Sequence, residues 1–279
     1  MAPAAPRATA ITDAVTGPGL AVAPEPAVRA AGSLLARGLG GTADGTRLRV
    51  DGYLLRTALR DPDRLAGPDR FAWSPRTARR SLGLAAARRC ACGLHATPAG
   101  ALDEVVEEAV ADTRRGLERP GSLACWLAQA PPGARAAVRA EALTWATHLV
   151  TSLDWPRLGR CRLGGRDDWW DGPVGSGVVL RGRAEVRTEV DGVGVLFCLL
   201  GGTPDELSPA ELGLAALVSA VGGGTPGRVV GWWPQAGRLM VTAVDASLLL
   251  DTADHVVRAV AATRLVRSGG RSGGGRGGH

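Results

Sequence analysis

Two stretches of this chain hold the side chains best suited to chemistry. Cys90-Ala-Cys92-Gly-Leu-His95 places three soft ligands within six residues, and thiolate and imidazole are ligands that zinc takes. A structural zinc site needs a fourth ligand at paired spacing, and Cys125, Cys161 and Cys198 stand alone in the sequence. The stretch therefore reads as small thiols buried at a helix end. The second stretch is Leu180-Arg-Gly-Arg-Ala-Glu-Val-Arg-Thr-Glu-Val190, with charges at Arg181, Arg183, Glu185, Arg187 and Glu189. The Glu185 carboxylate has the right chemistry for a divalent cation. With Arg183 and Arg187 on its own face, it reads first as one rung of an exposed charge ladder, worth about 0–1 kcal/mol.

Much of the remaining inventory excludes activities. The chain contains no lysine, so all 33 of its basic residues are arginine. Schiff-base chemistry and a lysine clamp on phosphate are therefore ruled out. Gly222-Gly-Gly-Thr-Pro-Gly227 lacks the P-loop lysine and ends a helix instead of starting one. No Gly-x-Ser-x-Gly elbow is present to seat a serine nucleophile. His148 reads as a helix-flank histidine, and His255 has no Ser or Cys partner in a recognisable motif.

Arginine does suit bidentate contact with phosphate. Residues 46–95 hold eleven arginines against four aspartates and no glutamate. Arg76, Arg79 and Arg80 fall at i, i+3 and i+4 on one helix face, and Arg181, Arg183 and Arg187 share one strand face. These six are the candidate nucleic-acid contacts; the plainer reading is a solvated surface on which arginine does every job. Trp169-Trp170 and Trp232-Trp233 offer rings for stacking. Neighbours on a strand point to opposite sides, so at least one of each pair belongs to the core.

The elements that must position these groups follow from period and punctuation. Ser74-Pro75 opens a helix to about Arg89. Leu102, Val105, Val106, Ala109, Val110 and Thr113 recur at helical spacing. A third helix covers about Ala134–Leu153, with Val138, Ala142, Trp145 and Leu149 inward. From about Trp169 the period becomes two. The alternation over 180–190 predicts one half-buried strand, Asp191-Gly192 a hairpin turn, and Val193–Leu200 a central return strand. Ser208-Pro-Ala-Glu211 has the form of a capping box opening a helix to Val221. Strands at Arg228–Trp233 and Arg238–Ala243 and a helix at about Ala246–Val266 complete the chain.

In bulk, 45% apolar and 22% charged residues describe an ordinary globular protein. The net charge of +6 permits an acidic partner without requiring one. Five cysteines without paired spacing fit a reducing compartment. Arg7 and Asp13 interrupt any signal-like apolar run, and no stretch reaches membrane-spanning length. The expected location is the cytoplasm. Expected organisation is a mostly disordered Ala/Pro/Gly-rich segment at 1–45 with a weak helical patch near Val28–Leu39, a helical region at 46–160, an α/β core at 161–266 and a disordered Gly/Arg tail at 267–279. Tails of that composition can bind single strands, although a solvated tail is the simpler reading.

The order of motifs resembles the RecB-type branch of the PD-(D/E)XK nuclease superfamily. Gly182-Arg183-Ala184-Glu185 is similar to that branch's Gly-Arg-apolar-Asp strand. Val195-Leu-Phe-Cys-Leu-Leu-Gly-Gly202 stands where its Asp-x-Lys-Thr-Gly strand would be. Glu211-Leu212 stands for its Gln-Leu helix start and Gly231–Leu239 for its terminal strand pair. Phe71–Gly83 matches its entry helix. The resemblance covers about residues 170–265 and implies a restriction-endonuclease-like core that binds Mg²⁺ through two carboxylates. It also implies where the pattern breaks. Phe197 takes the place of the metal-binding carboxylate and Leu199 that of the lysine. Magnesium needs oxygen ligands, and an apolar wall makes a charged ion costly to hold.

The expectations are then as follows. The fold is α/β (α+β), a helical N-terminal region packed on a small mixed sheet of about four to five strands. The function is non-catalytic binding or scaffolding on a degenerate nuclease-like core, with Glu185 as its relic and with no metal or cofactor. The partner is nucleic acid or a protein such as a helicase or nuclease subunit. Two alternatives stand beside it: an active nuclease using Glu185 with a displaced Glu189 or Asp191, and an arginine-based nucleic-acid-binding protein.

Overall fold

Several helices begin where a side chain takes up the N–H groups that a first turn leaves unpaired. Asp51 Oδ1 accepts from Leu54 N at 3.0 Å, Thr97 Oγ1 from Gly100 N at 3.2 Å and Ser122 Oγ from Cys125 N at 3.1 Å. Ser74 and Thr77 cap reciprocally: Ser74 N donates to Thr77 Oγ1 at 2.9 Å and Thr77 N to Ser74 Oγ at 3.3 Å. The computed structural model describes residues 8–17, 22–40, 47–65, 73–91, 93–115, 122–158, 162–163 and 168–272. Within them the order is α1 (Ala8–Thr16), α2 (Glu25–Leu39), β1 (Leu48–Val50), α3 (Gly52–Arg60), α4 (Pro75–Ala91), α5 (Pro98–Arg114), α6 (Leu123–Gln129), α7 (Pro132–Ser152) and α8 (Trp155–Leu158). There follow β2 (Arg162–Leu163), β3 (Asp168–Asp171), β4 (Val178–Gly182), β5 (Val186–Val190), β6 (Val193–Leu199), α9 (Ser208–Val221), β7 (Pro226–Trp233), β8 (Arg238–Ala243) and α10 (Ala246–Ser272).

The protein is mixed α and β, with two mixed sheets among the described residues. One has the order β1-β4-β3, with β1 parallel and β3 antiparallel to β4. The other has the order β2-β5-β6-β7-β8, antiparallel throughout except for β6 and β7. A parallel pair needs a crossover, and α9 supplies it. Asp191 and Gly192 have φ of 52° and 78°, the two left-handed residues that a tight hairpin between β5 and β6 requires.

The chain forms two compact units. One joins Asp13–Asp69 to Arg160–His279, and the other is built on Arg70–Gly159. In the first, α9 is buried along nearly its whole length and packs against α2, α3, α10, β4 and β7. Its approach to β4 is close because Gly182 has no Cβ; one built there would lie 2.9 Å from Val218 Cβ. In the second, α4 lies along α7. Gly83 permits the contact, since a Cβ there would sit 2.8 Å from the Ala142 carbonyl.

Four expectations need correction. Residues 1–45, expected mostly disordered, contain α1 and α2. Ala31, Leu35 and Leu39 of α2 fall at i, i+4 and i+8 and are fully buried, with Gly38 closing against Val257 of α10. Three apolar positions per four turns suffice once a partner helix covers them, even where Ala, Pro and Gly dominate the composition. Residues 47–60, expected in the helical region, supply β1 and α3 to the first unit. The strand expected over 180–190 is two strands in different sheets, β4 and β5, divided at residues 183–185. At the C-terminus α10 continues to Ser272, and the rest of the Gly/Arg tail lies outside the described residues.

Candidate functional site

The division between β4 and β5 governs Glu185. Once the chain leaves the ladder at residues 183–185, Leu199 N–H on β6 has no strand carbonyl opposite it. It donates instead to Glu185 Oε2 at 2.7 Å, while Glu185 N donates to the Phe197 carbonyl at 2.9 Å. Arg183 Nε donates to Glu185 Oε1 at 3.2 Å, and Cys198 Sγ to the Arg183 carbonyl at 3.4 Å. The Glu185 side chain is 0% exposed and that of Arg183 33%. The exposed charge ladder is therefore overturned at this residue. Period-two reading puts every second residue of a strand in solvent, and Glu185 lies in the break where that rule lapses. A buried charge must be paired and hydrogen-bonded, and here a guanidinium and a backbone N–H do so.

The positions that the resemblance makes catalytic carry apolar side chains beside Glu185, whose own backbone and carboxylate bond their main chain. Val186 pairs with Phe197, and Glu185 N–H bonds the carbonyl of that same Phe197, so two residues on one strand face one on the other, as in a bulge. Phe197 and Leu199 stand two residues apart on β6 and share one face of that strand. Both are buried, at 1% and 0% exposure. The displaced carboxylates are not brought in either. Glu189 pairs with Gly194 near the hairpin end, four residues or about 13 Å along the strand, and Asp191 is in the turn beyond. Among the described residues no three His, Cys, Asp or Glu side chains come close enough to share a metal ion.

Arg181, Arg183 and Arg187 do not share one strand face, because Arg181 is on β4, Arg183 in the break and Arg187 on β5. Each has a neighbour that engages it. Arg187 NH1 pairs with Asp168 Oδ2, Arg183 with Glu185, and the Arg181 guanidinium lies 5.3 Å from the centre of the Trp169 ring. In the other unit, Arg79 pairs with Glu141 of α7 and Arg80 stacks over Trp145 at 5.5 Å. Arg76 is exposed. The tryptophan pairs divide as strand geometry expects at β3, where Trp170 packs toward the core and Trp169 is 48% exposed. Trp232 and Trp233 are both buried.

Cys90 is half-buried, and burial pushes its thiol above the usual range. Cys92 and Cys161 lie outside the described residues. His95 Nε2 is 2.6 Å from Glu104 Oε2, and Arg89 bonds Glu108 at 2.6 Å, so this corner joins α4 to α5 through charges. Burial lowers the pKa of His148.

One cluster was not legible in the sequence. Arg56 NH2 and Arg60 NH2, one turn apart on α3, reach Asp205 Oδ2 at 2.6 and 2.7 Å. Arg56 NH1 also reaches Glu211 Oε2 at 3.0 Å. The N-cap of α9 is Leu207 and not Ser208, so Glu211 is not at the capping-box position, and its Oε2 meets Arg56. Asp205 forms a turn just ahead of the helix, accepting from Leu207 N at 3.1 Å and from the Ser208 hydroxyl at 3.2 Å. Burial raises the Asp205 carboxyl, but the Arg60 hydrogen bond, the Arg56 charge and those two donors outweigh it and hold it at about 2. Arginines at i and i+4 on a helix were the available signal; their partners lie some 150 positions away.

No helix among the described residues is long and apolar enough to cross a membrane. Compared with known families, curated proteins and solved structures, the chain matches none.

Proposed function

We propose that this chain is a non-catalytic binding or scaffolding protein of the cytoplasm, built on a degenerate PD-(D/E)XK nuclease-like core. The observation that carries the reading is the state of Glu185. The acidic residue that the resemblance offers as a metal ligand is wholly inside the protein, engaged by Leu199 N–H and Arg183. A hydrolytic centre of this type must deliver oxygen ligands to a hydrated ion next to a substrate phosphate. A carboxylate closed off from solvent reaches neither. Phe197 and Leu199 supply no oxygen ligand or ammonium at the remaining positions. The order of elements supports the family resemblance: a hairpin (β5–β6), a crossover helix (α9) and a terminal strand pair (β7–β8).

The test is cleavage of plasmid and of single-stranded DNA by the full chain with Mg²⁺ or Mn²⁺, beside Glu185→Ala. Equal background in both supports the reading. Robust cleavage by the native chain that disappears in the variant overturns it.

A further inference from the structure

The two sheets end on β1 and β3 and on β2 and β8. β1 carries Arg49, β3 carries Asp168 and Asp171, and β2 is only two residues long; charge and shortness both keep an open edge from pairing with another strand. β8 has neither protection. After Arg238 it runs Leu239-Met-Val-Thr-Ala243 and on to Val244 without a charge. Its ladder with β7 fixes which main-chain groups face outward. Val244 N–H donates to the Gly227 carbonyl at 3.0 Å, one rung beyond the Arg228–Ala243 pair. Bonded and unbonded rungs alternate in an antiparallel ladder, so Thr242, Met240 and Arg238 bond β7. Leu239, Val241 and Ala243 turn their N–H and C=O groups away from the sheet. This edge meets solvent: Val241 is 46% exposed and Ala243 is exposed.

We propose that β8 joins two copies of this chain, strand against antiparallel strand, about a two-fold axis at Val241. With Val241 on the axis, Leu239 of each copy lies opposite Ala243 of the other, and every outward N–H and C=O on both strands finds a partner. An axis at Met240 runs Ala243 past the end of the opposing strand and leaves its groups unpaired. Side chains agree with the Val241 register, since Leu meets Ala and Val meets Val, with no like charges face to face. The strand ends select a second copy as the occupant. Arg238 at the start is exposed and forms no ion pair among the described residues. Asp245, just past the other end, is also exposed; its capping bonds from Ser247 and Leu248 go to Oδ1, and no cation neutralises it. Antiparallel pairing brings each Arg238 to the Asp245 end of the other copy, where a parallel one would set Arg238 against itself. Such an isologous contact closes after two copies and makes one continuous sheet of the two five-stranded ones.

The test is sedimentation equilibrium of the full chain over about 1–100 µM, beside Val241→Lys, Val241→Glu and Val241→Pro. The native chain is expected to reach twice its chain mass as concentration rises. Each charged variant sets two like charges together on the axis, and Val241→Pro deletes an outward N–H that β7 does not use. All three should weaken association more than about tenfold, while far-UV circular dichroism and the urea midpoint stay native. An equimolar mixture of Val241→Lys and Val241→Glu should regain the dimer, because opposite charges then meet on the axis; loss of folding would not be repaired in this way. A native chain that stays monomeric throughout overturns the proposal and leaves the edge to a strand of another protein. A dimer that both charged variants retain, or a mixture that stays monomeric, overturns it as well.

Discussion

Replacing Glu185 separates a structural carboxylate from a catalytic relic, because the two differ in the sign of their effect on stability. In Glu185→Ala, Leu199 N–H remains buried with its acceptor gone, at a cost of about 1–3 kcal/mol. Arg183 loses its carboxylate, but its side chain is one-third exposed and can turn to water, so about 1 kcal/mol is a fair figure for that part. The missing methylenes and carboxylate leave a void worth about another 1 kcal/mol. The sum is destabilisation of about 3–5 kcal/mol. Glu185→Gln keeps one acceptor oxygen but sets an NH₂ against a second donor, and about 1–2 kcal/mol is expected. Carboxylates retained for catalysis behave oppositely: their removal leaves stability unchanged or raises it. The assay is urea unfolding of the full chain, followed by tryptophan fluorescence and far-UV circular dichroism. Two units are present, so the transition that shifts must be the one shared by the strands. An alanine variant within about 0.5 kcal/mol of the native chain, or above it, refutes the reasoning.

Four further expectations follow from the geometry. Gly213→Ala places a Cβ 2.2 Å from Thr252 Oγ1 and should cost about 1–3 kcal/mol, with part recovered in Gly213→Ala/Thr252→Ala; a neutral single variant in thermal unfolding would contradict the α9–α10 packing. Gly192→Ala, at φ of 78° in the hairpin turn, should cost about 1 kcal/mol, read from the same unfolding curves. The folded-state pKa of Asp205 lies below its ordinary value of 3.8, at about 2, so its stabilisation is complete above pH 4 and is lost as pH falls through 2. After discounting for its partial exposure that amounts to about 1 kcal/mol, and Asp205→Asn should remove this acid limb between pH 5 and 2; an unchanged slope would contradict it. Burial raises the Cys90 thiol, so its alkylation near neutral pH should run slower than that of a free thiol in mass-spectrometric peptide mapping.

Features encoded within a few residues were legible. Ser74-Pro75 starts α4, Asp191-Gly192 turns β5 into β6, and the doubly apolar run from Val193 is a central strand. These rest on capping, on left-handed turn geometry and on period, all of them local. What escaped depends on distant partners. A strict alternation over 180–190 gives no sign that its two halves pair in different sheets, because both halves obey period two. The burial of Glu185 follows from that break and was hidden with it. Helix α2 showed only as a weak helical patch near Val28–Leu39, its burial depending on α10 some 220 residues later, and Glu211 serves Arg56 only because α3 packs on α9. In each case a local pattern was sound and a non-local contact decided the outcome.

The direct measurement of the central claim is a Mn²⁺ titration of the full chain followed by electron paramagnetic resonance. Closure of the Glu185 locus predicts the free-ion signal throughout, the same for the native chain and Glu185→Ala. One Mn²⁺ bound per chain in the native protein, and released in the variant, would contradict it.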